Sequence, residues 1–281
     1  SVTEEELGRF KYLSMRKGEA GWMITYSFEN PIVAAEQGQD ADINVVVCQE
    51  ALDIQDIAAL PQLEYLNLDH TELPEGSLET LSSLKMITCD YIQLDMLRLA
   101  LGDAAKGLER LNASHLKGLE ELSYFPGLKS LEMEDCREIS DISALAQVKD
   151  LENLKLYDMD EVNDFTVLNV LKKLRSLSID AENLKDISFI NHMPELASLG
   201  ITDSKILLLD PLVGKESLKE LVLVDNGEVR DYNPVGTLTG LETLVINKYT
   251  SQEDPDLTAL TGLKHGEFHG MMGIRFLGSL T

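Results

Sequence analysis

The sequence predicts an α/β solenoid: a right-handed coil of short repeats, with a parallel β-sheet on the concave face and short 3-10 or helical turns on the convex face. An apolar motif recurs about every 22 residues, which predicts one short strand per turn of the coil. An aspartate followed by apolar residues at every third position comes after many copies. Apolar residues make up 44% of the 281 residues, which is enough for a continuous core.

The repeated motif has the spacing LxxLxL. The second anchor of its ten copies is Leu66, Ile87, Leu111, Leu131, Leu154, Leu177, Leu199, Leu221, Leu244 and, in a decayed copy, Gly266. Residues 43–48 are expected to form one further, degenerate copy that begins the array. A unit of this length cannot bury its apolar face alone, so successive units must stack and their strands must pair in parallel.

The convex turns are predicted by the second pattern. Asp141 and Asp186 each begin a run with apolar residues at every third position, a period that suits a 3-10 turn better than an α-helix. The aspartate is expected to cap the free N–H groups of the turn, which is a structural role and not a catalytic one. Residues 95–106, which are rich in leucine and alanine, are expected to hold a true helical turn.

With LxxLxL and a following Asp-Ile at this period, residues 43–270 resemble the leucine-rich repeats of bacterial internalin-type proteins. The resemblance implies a module that recognises other proteins. The sequence departs from the family in two respects. The column that usually carries asparagine after the strand has it cleanly only at Asn226, and no wall-anchoring motif follows the repeats.

The repeat array divides the chain into three segments. Residues 1–42 do not follow the repeat and are expected to form an N-terminal cap. Within them, Trp22, Ile24, Tyr26 and Phe28 alternate as in a strand, with Trp22 as a plug of the core. Residues 43–270 are expected to form ten to eleven repeats, and residues 271–281 a C-terminal cap or edge.

The charge restricts the possible partners. There are 24 basic and 49 acidic residues, for a formal net charge of −25, and this disfavours nucleic acid and anionic membrane surfaces. No apolar run has the length of a membrane span. The acidity favours a basic protein as the partner, and the alternative is that it only keeps a long solenoid soluble.

The cysteines and the start of the sequence bear on the compartment. Cys48, Cys89 and Cys136 are odd in number and irregular in spacing, so free thiols are expected in place of a disulfide framework. Together with the absence of a signal peptide pattern at the start, they favour the cytoplasm over the cell surface or the medium.

The candidate binding residues come from columns of equivalent positions at the ends of the strands. The first two columns form an acidic stripe that bears aromatic residues, with Tyr65 at its edge, and the alternative is a solvated loop edge. Three outward valines next to Gly200 form a candidate apolar patch, unless the C-terminal segment covers them. The full set of candidates is Tyr65, Asp69, His70, Asp90, Tyr91, His115, Glu134, Asp135, Tyr157, Asp158, Asp180, Val222, Val224 and Val245. Asp203 and Asp225 continue the second column.

Another column, just after the first leucine of each motif, alternates in charge from Glu64 to Lys264 and is expected to form a ladder of ion pairs along the sheet.

No catalytic motif accompanies these columns. A Walker loop, GxGxxG, HExxH and CxxC are all absent from the sequence, so we expect neither an enzyme nor a cofactor. A flat row of carboxylates does not bring 6–8 oxygens to one point, so we expect no metal either. The leading hypothesis is a module that binds a basic protein through an acidic concave face. The alternatives are a secreted or surface-attached internalin-like adhesion protein and a structural spacer in a larger assembly.

Overall fold

The computed structural model describes residues 8–19, 21–48, 50, 52–69, 71–247 and 254–271. The chain divides into two compact units, Ser1–Lys129 and Ser130–Thr281. Each unit contains a β-sheet in which strands that carry the LxxLxL motif pair in parallel. The described residues include no helix long and apolar enough to cross a membrane.

Unit 1 contains a mixed six-stranded sheet in the order β6-β5-β4-β1-β2-β3. Its strands are β1 (Tyr12–Gly18), β2 (Gly21–Ser27), β3 (Asn44–Cys48), β4 (Tyr65–Asp69), β5 (Met86–Asp90) and β6 (Arg110–Ser114). Its helices are α1 (Pro31–Glu36), α2 (Ile54–Ala58) and α3 (Leu94–Leu101), and 3-10 turns span Gly102–Gly107 and Glu120–Tyr124. The helical turn predicted at residues 95–106 is therefore confirmed.

The described residues of unit 2 include seven strands, which pair in parallel in chain order. They are β7 (Ser130–Glu134), β8 (Asn153–Leu156), β9 (Ser176–Asp180), β10 (Ser198–Thr202), β11 (Glu220–Val224), β12 (Thr243–Asn247) and β13 (His265–His269). Short 3-10 turns span Ser143–Gln147, Thr166–Val170, Ser188–His192, Asp210–Leu212 and Asn233–Thr237. A parallel strand followed by a 3-10 turn in each repeat is the leucine-rich-repeat fold.

The core of each unit is built from the motif leucines. Leu66 in unit 1 and Leu177 in unit 2 are fully buried, as are the residues two positions after them, Leu68 and Ile179. The residues between them point to the opposite face, because side chains alternate along a strand. We call that opposite face of either sheet the sheet face.

The predicted caps of the 3-10 turns are present. The Oδ1 atoms of Asp141, Asp164 and Asp186 accept hydrogen bonds from the backbone N–H two residues later, at 2.7 to 2.9 Å. Asp231 does the same at 2.8 Å. These bonds satisfy N–H groups at the start of each turn, which no backbone carbonyl can reach.

The start of the repeat array differs from the prediction. Residues 43–48 were expected to form the first parallel strand, but β3 pairs antiparallel with β2 at the edge of the sheet. The position beside β4 is taken by β1, which pairs with it in parallel. Phe10, Leu13 and Met15 of this segment are buried at LxxLxL spacing, so they form the first copy of the motif. The insertion of β2, α1 and β3 separates that copy from Leu66 by more than one repeat length. The 22-residue spacing of the other copies therefore did not reveal it.

The N-terminal segment agrees with the prediction in part. The alternation at Trp22, Ile24 and Tyr26 forms β2, but Trp22 is only half-buried and does not plug the core. The domain limits at residues 42 and 270 stay predictions. Residues 1–7 and 272–281 lie outside the described residues.

Candidate functional site

The second candidate column has one backbone conformation. Tyr91, His115, Asp135, Asp158, Asp203 and Asp225 have φ between 44° and 59°, in the left-handed region. Five of them directly follow the last residue of a strand, Asp158 comes one residue later, and in each case the next residue returns to the core. Asp tolerates this conformation better than most residues, so the turn alone accounts for four members of the column. It does not account for Tyr91 and His115.

In unit 1, Tyr91 and His115 form an aromatic pair. Their rings stack at a centroid distance of 3.8 Å and an angle of 16°. Tyr91 is 51% exposed, so the pair presents a ring to solvent. A bulky residue with positive φ costs free energy, so its presence here needs a compensating reason.

Asp90 fixes the imidazole of this pair. Its Oδ1 lies 2.8 Å from His115 Nδ1 and accepts a hydrogen bond from Ser114 Oγ at 2.5 Å. In the register of the sheet, the backbone of Asp90 in β5 is paired with that of Asp69 in β4, so these two members of the first candidate column occupy neighbouring positions. His70 lies outside the described residues.

Tyr65 differs from the prediction that it borders an accessible surface. It is 5% exposed, because its ring stacks on Tyr12 at 4.5 Å and its hydroxyl donates to Thr88 Oγ1 at 3.2 Å. Burial raises the pKa of the Tyr65 hydroxyl. Its neighbour on the sheet face, Asn67, is buried as well. Tyr65 can therefore offer little contact area to a partner.

In unit 2, carboxylates gather around the end of β9. Asp180 is half-buried, and desolvation raises the pKa of its carboxyl, with smaller contributions from the negative charges of Asp203, Asp158 and Asp160. Thr202 Oγ1 donates to Asp180 Oδ2 at 3.0 Å and opposes that rise in pKa. We call Asp158, Asp160, Asp180 and Asp203 the carboxylate cluster. The sequence analysis placed Asp203 in the second column but did not single out Asp160, because position in a column does not reveal which charges are close in space.

The other acidic and aromatic candidates of unit 2 are at the ends of β7 and β8, the two strands that precede β9 in the sheet. Arg137, which the sequence analysis did not single out, lies 2.8 Å from Asp135 and 3.8 Å from Asp158, so it partly neutralises these two carboxylates. Glu134 is exposed and Tyr157 is half-exposed at equivalent strand ends.

The predicted valine patch lies on the sheet face of β11 and β12. Val222 is in register with Gly200 on one side and Val245 on the other, and Val222, Val224 and Val245 are half-exposed. A Cβ at position 200 would lie 2.9 Å from Ser178 Oγ, so a larger residue would crowd Ser178. Because position 200 is a glycine, no side chain projects beside the valines there.

The predicted ladder of ion pairs is partly present. Lys85 and Lys129 lie 3.3 and 3.6 Å from Glu109, and Lys219 and Lys264 lie 3.9 and 2.6 Å from Glu242. These side chains are exposed, so each pair contributes about 0–1 kcal/mol. The opposite charges of this column largely cancel one another. The excess of negative charge therefore lies at the other ends of the strands.

Among the described residues, no group of three or more His, Cys, Asp or Glu side chains has an arrangement that could hold a metal ion. Cys89 and Cys136 are buried and Cys48 is half-buried, and no disulfide joins these three described residues.

No family model matches the sequence, and no curated protein matches it. Several solved structures are similar to this chain. An internalin (inlF) of Listeria monocytogenes has a TM-score of 0.49 at 19% identity, with 89% of each chain covered. Internalin C2 of the same organism has a TM-score of 0.47 at 18% identity, covering 81% of this chain and 85% of that one. The leucine-rich repeat domain of the type III effector XopL has a TM-score of 0.42 at 21% identity, covering 75% and 70%. At these identities the likeness concerns the fold and does not carry a partner over to this chain.

Proposed function

We propose that this chain is a protein-binding module, with no catalytic role, that recognises a basic protein through the strand ends of its leucine-rich repeats. The observation that carries the proposal is the carboxylate cluster of unit 2. Burial raises the pKa of the Asp180 carboxyl, and the negative charges of Asp203, Asp158 and Asp160 add to that rise. Such a cluster costs free energy in the free protein, and a lysine or arginine from a partner would relieve the repulsion.

The other parts of the surface fit this role. The half-exposed valines of β11 and β12 would supply an apolar contact that excludes water. The exposed ring of Tyr91 in unit 1 would supply an aromatic contact, of the kind that dominates binding energies. The net charge of −25 would steer a basic partner toward either surface.

The test neutralises the cluster without disturbing the turns. Asp158→Asn, Asp180→Asn and Asp203→Asn are combined, because asparagine tolerates positive φ at least as well as aspartate. Basic proteins captured from the lysate and medium of the source organism are identified by mass spectrometry, and the affinity of each is measured by calorimetry at several salt concentrations. We expect the triple variant to bind at least about tenfold more weakly, and wild-type affinity to fall as salt rises.

A matched control removes the same number of charges elsewhere. Asp150→Asn, Glu195→Gln and Glu216→Gln change acidic residues that precede strands instead of following them. We expect this variant to bind as the wild type does. Equal losses in both variants would mean that net charge alone attracts the partner, and unchanged affinity in the cluster variant would remove this surface from the proposal.

A further inference from the structure

A second surface lies at the edge of unit 1 and involves none of the residues above. β3 ends the sheet order, and within the described part of the chain its strand neighbour is β2 alone. Its outer edge therefore presents backbone N–H and C=O groups that no described strand pairs.

The three valines at the centre of β3 are exposed, and they lie on both faces of the strand. Val45 and Val47 are 57% and 61% exposed, and Val46, which points to the other face, is exposed too. Met23 of β2 is in register with Val47 and is also exposed, so the apolar surface continues onto the next strand. Three consecutive exposed valines on a sheet edge are a strong template for another strand.

β13, at the edge of the sheet in unit 2, differs from β3 because its exposed side chains are polar or charged. β13 places His265, Glu267 and His269 on one face, and His265 Nε2 lies 3.1 Å from Glu267 Oε1. Charged and polar side chains of this kind discourage pairing with another chain. β3 has no charged residue between Asn44 and Cys48.

The charges around β3 indicate what kind of strand fits there. The sequence has no lysine or arginine from Gly18 to Leu84, whereas Asp40, Asp42 and Glu50 flank β3 directly. If two copies paired antiparallel about Val46, Asp42 would stand opposite Glu50, and like charges placed opposite each other are destabilising. The flanks therefore disfavour a second copy and favour a strand with basic ends.

We propose that β3 is a docking site for an extended segment of another protein, which adds as a further strand and has an apolar centre flanked by lysine or arginine. Backbone hydrogen bonds would hold the segment, and its alternate side chains would pack on Val45 and Val47. This proposal is independent of the carboxylate cluster.

The test uses two fluorescent peptides with the full chain. Both have two lysines at each end; one has a centre of alternating valine and threonine, and the other has a centre of glycine and serine. We expect the valine peptide to bind at least about tenfold more tightly by fluorescence anisotropy. Val45→Lys combined with Val47→Lys should abolish that difference, since both residues are exposed and the fold should survive, which circular dichroism checks.

Two controls separate this site from the surface proposed above. Val213→Lys changes a valine of unit 2 that is 57% exposed and should leave binding of the valine peptide unchanged. The Asp158, Asp180 and Asp203 asparagine variant should also bind it normally. Equal binding of the two peptides would overturn the proposal. So would sedimentation showing that the chain dimerises through β3 and that the lysine variant is monomeric.

Discussion

Six residues at the strand ends have left-handed backbone dihedrals, and their side-chain types partly follow from that geometry. Four are aspartates, for which a positive φ is least costly among residues that carry a carboxylate. The acidic column thus has a structural cause as well as a proposed function. The two roles can be separated, because asparagine and glycine keep the turn and remove the charge.

At Asp158, we expect glycine to stabilise the fold and valine to destabilise it. Glycine has no Cβ to strain at φ 55°, whereas a β-branched residue clashes there. Asp158→Val should lower the free energy of unfolding by about 1–3 kcal/mol relative to Asp158→Gly, measured by urea denaturation. Asp150→Gly and Asp150→Val serve as the reference pair. The same ranking at Asp150 would show that the effect does not come from the turn.

Asn226 is the residue at which this chain keeps the asparagine typical of the family it resembles. It is 1% exposed; its Nδ2 donates to Ile201 O at 2.8 Å, and its Oδ1 accepts from Ser204 Oγ at 2.5 Å. In other repeats of unit 2 the equivalent position is filled by Cys136, whose Sγ lies 3.3 Å from Glu134 O, and by Met159, and both side chains are buried. A buried amide requires hydrogen-bond partners, and Asn226 has them in Ile201 and Ser204.

At the scale of the element, the 3-10 turns depend on their aspartate caps. The hydrogen bonds from Thr166 lower the pKa of the Asp164 carboxyl, and the backbone and side chain of Ser143 do the same for Asp141. A carboxyl with a lowered pKa in the folded state stabilises the fold at pH values above its unfolded pKa. That contribution is lost as the pH falls through the folded pKa.

We therefore expect Asp164→Ala to lower the free energy of unfolding at neutral pH and to have a smaller effect in acid. Chemical denaturation of both proteins between pH 7 and pH 2 measures the difference, which should shrink once Asp164 is protonated in the wild type. Asp164→Asn keeps an acceptor for the Thr166 N–H and should show a smaller loss at neutral pH. A difference that stays constant with pH would mean that the carboxylate charge is not involved.

At the scale of the whole molecule, stability comes from leucines stacked between neighbouring repeats. Leu177 is fully buried and in register with Leu154 and Leu199 on the two adjacent strands. A repeat protein of this kind is stabilised mainly by contacts between nearest neighbours. A cavity at one repeat therefore weakens two interfaces.

Leu177→Ala should lower the free energy of unfolding by about 2–5 kcal/mol, as for other buried leucines replaced by alanine. Ser178→Ala, on the sheet face of the same strand, should change it by less than about 0.5 kcal/mol. Urea denaturation followed by circular dichroism measures both. If the two variants unfolded alike, the assignment of buried and exposed faces in β9 would be wrong.

Most of the fold was predictable, because the leucine period is local information that each repeat carries for itself. The parallel strands of unit 2, the capped 3-10 turns and the helical turn at α3 all follow from spacing and residue type. The first repeat was missed, since Phe10 replaces a leucine and the insertion of β2, α1 and β3 places it far from Leu66. The candidate site was predicted less well, because a column fixes which residues are equivalent and not how much solvent reaches them.

Spacing and charge are properties of the amino-acid sequence. The repeated unit, the inward leucines and the excess of carboxylates at the strand ends could therefore be predicted from it. The tertiary structure decided that Tyr65 is buried, that Asp90 holds His115 and that the carboxylates near Asp180 are close enough to raise its pKa. It also decided that the valines of β3 lie on an open edge. These features depend on which segments meet in space, and burial and electrostatic interactions are set by distance between side chains and not by separation along the sequence.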